Sequence, residues 1–204
     1  MLFNAVVFIL LLLSFGLQEF VPSVPIAHHA RLFLPAVFFF SSAVATSFPM
    51  MLFLAFVTGL LWDARYLPTP METPEEALAL MEGVERQFVG MGNGELTFGL
   101  SILLFGLFGA LMQGVRPLFK RGRLELPVVM VGFAVFGWLL SQFLTMTFIR
   151  GSFSFPPGVW SKMITDTLLA MLVAPVLFLV LHALARWMRY EIRYDGLRFQ
   201  SHGR

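Results

Sequence analysis

Long uncharged apolar runs, separated by short polar stretches, set the pattern of this chain. The first run extends from Leu2 to about Leu17 and is closed by Gln18, Glu19 and Pro22. It has no Lys or Arg ahead of it and no small-x-small cleavage site behind it, so a retained membrane helix is expected rather than a cleaved leader. The next run, Leu32 to Trp62, carries no charge at all. A single span takes roughly 20 residues, so this run is too long for one. Thr46-Ser47-Phe48-Pro49 lies in its middle, and the residue before a proline is pushed away from helix. The pattern predicts two short helices, about 32–47 and 50–62, joined as a hairpin by a tight turn. Three further runs predict spans at about 97–115, 127–149 and 162–187. The fold class expected is an all-α integral membrane protein, a single membrane domain over 1–204 built as a six-helix transmembrane bundle.

One stretch breaks the pattern. Residues 63–96 hold Asp63, Glu72, Glu75, Glu76, Glu82, Glu85 and Glu95 against only Arg65 and Arg86. Thr73-Pro74-Glu75-Glu76 reads as an N-cap followed by proline at the first helical position. Ala77, Leu80, Met81, Val84 and Phe88 then recur at helical spacing, which predicts a short extramembrane amphipathic helix. Its acidic face argues against binding to anionic lipid headgroups.

Composition agrees with lipid as the solvent for most of the chain. Of the 204 residues 58% are hydrophobic and 13% are charged, and Phe occurs 24 times. Soluble domains carry roughly 25% charged residues, so this chain cannot be an ordinary soluble enzyme or a nucleic-acid module. Cysteine is absent, which removes disulfides, thiolate metal sites and thiol nucleophiles. Positive charge orients the bundle. With six spans, one side holds Arg116, Lys120, Arg121, Arg123, Arg186, Arg189, Arg193, Arg198 and Arg204. The other holds Arg31, Arg65, Arg86, Arg150 and Lys162, so nine charges against five put both termini in the cytoplasm and 63–96 outside.

Candidate chemistry is sparse. Intramembrane charges are functional candidates by default. Asp166, one turn after Lys162, reads either as an i,i+4 pair at the interface or as a buried packing or partner-binding carboxylate. Asp63 closes the third helix, where a solvated helix end is the plainer reading. His28-His29 lie in a loop and share no helix face, and His182 reads as a packing residue. No paired carboxylates, metal-ligand spacing or phosphate loop is visible, so neither enzymatic activity nor a cofactor is expected. Small residues are the stronger signal. Gly106, Ala110 and Gly114 repeat every four residues, with Gly99 two turns earlier, and such faces let helices approach closely in lipid. Gly137-x-x-x-Ser141 and Ala170-x-x-x-Ala174 repeat the device, and Pro175 predicts a kink. Packing inside the bundle is the plain expectation for most of these positions.

Phe56-Val-Thr-Gly59-Leu-Leu-Trp-Asp63 is similar to the Gly-x-x-x-Asp end of the third helix in the rod shape-determining protein family MreD. Gly92-Asn-Gly94-Glu-Leu-Thr-Phe-Gly99-Leu resembles the glycine-rich restart of that family's fourth helix. Asp63 to Gly92 is longer here than the family pattern. The resemblance implies a non-enzymatic scaffold of the cell-elongation machinery in the bacterial inner membrane. It implies a partner like the single-span MreC and, through it, links to MreB, RodA and a class B penicillin-binding protein, with no nucleic acid. Gly59, Asp63, Gly99, Gly106, Ala110, Gly114 and Asp166 are the residues expected to serve packing or partner contact. The family fold also resembles the substrate-binding subunits of energy-coupling-factor vitamin transporters, which gives the alternative of a vitamin-binding subunit. Those carry Ala-x-x-x-Ala on the first helix, whereas Leu2–Leu17 has only Ala5.

Overall fold

The computed structural model describes residues 2–21, 31–65, 99–116, 125–149 and 157–190. Among them lie six helices: α1 (Leu2–Gln18), α2 (Leu34–Ala45), α3 (Phe48–Arg65), α4 (Leu100–Val115), α5 (Glu125–Ile149) and α6 (Pro157–Trp187). The amphipathic helix expected within 63–96, and His28-His29, fall outside the described residues. Three helices, α3, α5 and α6, are long and apolar enough to cross a membrane. The other three are apolar but shorter, at 17, 12 and 16 residues for α1, α2 and α4.

The shortest helix is the centre. α2 touches each of the other five, and every residue from Pro35 to Ala45 is buried. A helix that is apolar all round can satisfy that placement and an amphipathic one cannot. Pro35 sits in its first turn, where a missing N–H costs nothing. It ends at Thr46, whose extended backbone stops the helix while its N–H still reaches Ser42 O at 3.0 Å. The turn is Thr46 and Ser47, two residues earlier than the expected 48–49. Pro49 lies inside the first turn of α3 and does not bound it, since the ring is tolerated there.

The surrounding helices each bury one stripe. α3 turns Met51, Leu54, Ala55, Thr58, Gly59 and Trp62 inward, at helical spacing. α4 buries Ser101, Leu104, Phe105, Gly109 and Met112. α6 buries Met163, Asp166, Ala170, Ala174, Phe178, Leu181 and Ala185, and runs as one helix through Pro175. The opposite faces are apolar as well: Leu103, Leu172 and Phe148 are each more than 70% exposed. Exposed apolar surface on this scale suits lipid or a partner, not water.

α6 ends in a Schellman motif. Arg189 adopts a left-handed φ of 49°, its N–H bonds to Arg186 O at 3.2 Å, and the N–H of Tyr190 reaches back to Ala185 O at 2.8 Å. The reversal lays Tyr190 flat on Phe3 of α1, with ring centroids 4.2 Å apart. The start of the first helix and the end of the last therefore meet at one end of the bundle.

Candidate functional site

At the opposite end three polar side chains share one task. Asp63 Oδ2 accepts the N–H of Gly99 at 2.7 Å. Asp166 Oδ1 accepts the N–H of Arg31 at 2.8 Å. Gln18 Oε1 accepts the N–H of Leu34 at 2.7 Å. Each acceptor comes from one helix and holds the chain just before, or at, the start of another. Helix starts leave N–H groups without intrahelical partners, and an anionic acceptor there also meets the positive end of the helix dipole.

The Asp63 joint is the most fully determined. Gly99 is the N-cap of α4 and sits at φ 104°, a backbone angle that glycine adopts without penalty. One turn before Asp63, Gly59 faces the first turn of α4. A Cβ added there would lie 2.5 Å from the backbone N of Ile102. Gly59 and Asp63 thus act as a pair at i and i+4: the first lets α4 come close, and the second accepts its leading N–H. Arg65, half a turn further, bonds Glu19, just past the end of α1, at 2.7 Å. Both are partly solvated, and such a pair contributes about 0–1 kcal/mol.

Asp166 is only 3% exposed. It is a buried packing carboxylate whose hydrogen bond runs to the backbone N–H of Arg31, and Lys162 one turn earlier remains its electrostatic neighbour, so the two sequence readings hold together. His182 Nδ1 lies 3.0 Å from Phe178 O on its own helix, which fits packing.

At the other end the logic is inverted. Gln113 Nε2 donates to Ala43 O at 2.7 Å and to Thr46 O at 3.0 Å. The Arg116 guanidinium donates to Val44 O and Thr46 O. A cation on the last carbonyls of a helix is favoured by the same dipole. α2 is consequently held by acceptors at its start and donors at its finish. Gln113, Arg116 and Gln18 were not singled out from sequence, because their partners are backbone atoms that leave no trace in residue identity.

Between these ends the interior of α2, α3, α4 and α5 is aromatic. Trp62 and Trp138 meet edge to face at 4.9 Å, with Phe33 and Phe105 closing on Trp138 at 5.8 and 5.2 Å. Trp138 is fully buried, and its Nε1–H has no acceptor among the described residues.

The small-residue stripe of α4 divides. A Cβ at Gly106 or Gly114 would meet nothing within 4 Å, whereas one at Gly109 would meet Met51 and Phe39. Ala110 is half-buried against the core. Packing inside the bundle therefore accounts for Gly109 but not for Gly106 or Gly114. Gly137 faces Phe108 of α4, and Ala170 and Ala174 are buried, as the small-residue spacing predicts.

Among the described residues no group of three or more His, Asp or Glu is placed to hold a metal ion. The described residues are those of an all-helical protein, and three of their helices are long and apolar enough to cross a membrane. Comparison with family models, curated proteins and solved structures finds no match for the chain.

Proposed function

We propose that the chain is a non-enzymatic membrane scaffold of the MreD type, serving bacterial cell elongation through an MreC-like single-span partner. The observation that carries this reading is the Gly59–Asp63–Gly99 joint. The resemblance rests on those short motifs, and here they meet as one mechanical unit between α3 and α4. The aromatic interior supports a scaffold over the vitamin-binding alternative, since Trp62, Phe105 and Trp138 pack on each other where the helices converge. In this reading all six helices lie in the bacterial inner membrane, the shorter ones accommodated within the bundle. Both termini are cytoplasmic, and 63–96 is outside. The open face of α4, with Leu103, Leu107 and Leu111 beside Gly106 and Gly114, is available to a partner helix.

Affinity purification of the tagged chain from mild detergent tests the proposal. A single-span membrane protein with an extracytoplasmic domain should co-purify, and depletion should alter cell width. Saturable binding of a vitamin by the purified protein, with no change of shape on depletion, would replace it with the transporter reading.

A further inference from the structure

We infer that the C-terminal end of α6 is a docking site for the headgroup of an anionic phospholipid, held by Arg186 and Arg189 beside Trp187. Arg186 and Arg189 are both exposed, and among the described residues neither pairs with a carboxylate. At the opposite end the exposed Arg65 is matched by Glu19. Arg116, the other described cation of this end, is buried and committed to the carbonyls of α2. Among the described residues, the two exposed guanidiniums are thus the charge this end presents.

Trp187 lies between them and is 81% exposed. An indole with an apolar body and a polar N–H is suited to the level where acyl chains give way to headgroups. Directly below, on α6, Val176, Leu179 and Val180 are exposed and apolar. Along the helix an apolar surface therefore gives way to Arg186, Trp187 and Arg189, as acyl chain gives way to phosphate in a phospholipid.

The backbone adds a second argument. Arg189 occupies the left-handed position of the Schellman motif, where glycine is the usual occupant and a side chain is costly. The turn itself would form with glycine, so closing the helix does not explain the arginine. A charged group at that point does. The favourable interaction of a cation with the helix C-terminus contributes as well, and a phosphodiester bound by both guanidiniums adds charge-assisted hydrogen bonds that Lys or a neutral donor makes less completely.

The inference rests on the bundle lying in a bilayer, and the experiment separates the two. The full chain is reconstituted in vesicles of phosphatidylcholine alone and of phosphatidylcholine mixed with phosphatidylglycerol. It is then re-extracted in mild detergent, and the co-purifying lipid is quantified by mass spectrometry. Wild type should enrich phosphatidylglycerol over its share of the vesicle. The R186Q/R189G variant keeps the turn. It should insert equally, melt at the same temperature in phosphatidylcholine, and lose enrichment by about fivefold per arginine removed. Arg189→Lys should retain most of it. Equal enrichment by wild type and R186Q/R189G would overturn the site. Displacement by inorganic phosphate at matched ionic strength would overturn the assignment to a lipid. Failure of wild type to enter either vesicle would overturn the bilayer placement and this inference with it.

Discussion

Asp63 and Asp166 perform one task from different helices: each gives a carboxylate oxygen to a backbone N–H at the approach to another helix. The consequences of losing them follow from what is left behind. Asp63→Ala strands the N–H of Gly99 and removes an anion from the start of α4, a loss of about 1–3 kcal/mol. Asp63→Asn keeps an acceptor and should cost less. Thermal unfolding in detergent should therefore rank wild type above D63N and D63N above D63A. Gly59→Val should be at least as damaging as D63A, because the contact it violates is backbone and cannot move aside. The family resemblance had singled out this pair, while the residue pattern alone left Asp63 as a solvated helix end, a reading that its bond from the Gly99 N–H corrects. For Asp166 the sequence left an interfacial pair and a buried carboxylate both open, because the Arg31 N–H that accounts for its burial lies 135 residues away.

Among the helices, phase about the axis decides what spacing alone leaves open. Gly106 and Gly109 are three apart and so lie about 60° from each other around α4. That offset separates an open face from the contact with Met51 and Phe39. Gly109→Leu should destabilise the bundle by about 1–3 kcal/mol by overpacking, while Gly106→Leu leaves its melting temperature unchanged. If Gly106 serves a partner helix, G106L should lose co-purification without losing stability. Equal melting temperatures for G109L and wild type would refute the contact itself. Arg116→Ala should be as costly as G109L, since it strips charge-assisted bonds from the buried end of α2. The apolar runs announced each helix to within a few residues. They did not announce that α2 would be the core, because a run that is apolar all round reads alike facing lipid or facing other helices.

For the molecule as a whole, the hydrogen bonds sort the helix ends into two groups. The starts of α2 and α4 lie with the finishes of α1 and α3, and the finish of α2 lies with the finish of α4. The proposed six-span arrangement expects such an alternation from its turns and charges. Reporter fusions after Arg204 and within 72–86 should therefore report opposite sides of the membrane, with the C-terminal one cytoplasmic. Reporters on the same side would refute the six-span arrangement. Polar pairing at both ends of α2, unlike its apolar core, could not be foreseen, since the carbonyls of Ala43, Val44 and Thr46 belong to residues of no particular chemistry.

The central position of α2 has a consequence for how the protein is made. Its 12 residues rise roughly 18 Å, short of the roughly 30 Å of hydrocarbon that a lone helix must cross. During synthesis it emerges second, yet one of the walls that shelters it is α6, the last described helix. Until α6 leaves the ribosome, a nascent chain must hold α2 against α1, α3, α4 and α5 with the side that faces α6 unsheltered. Chains halted before α6 should be short-lived in the cell, and pulse-chase decay of such truncations, compared with full-length protein, measures it.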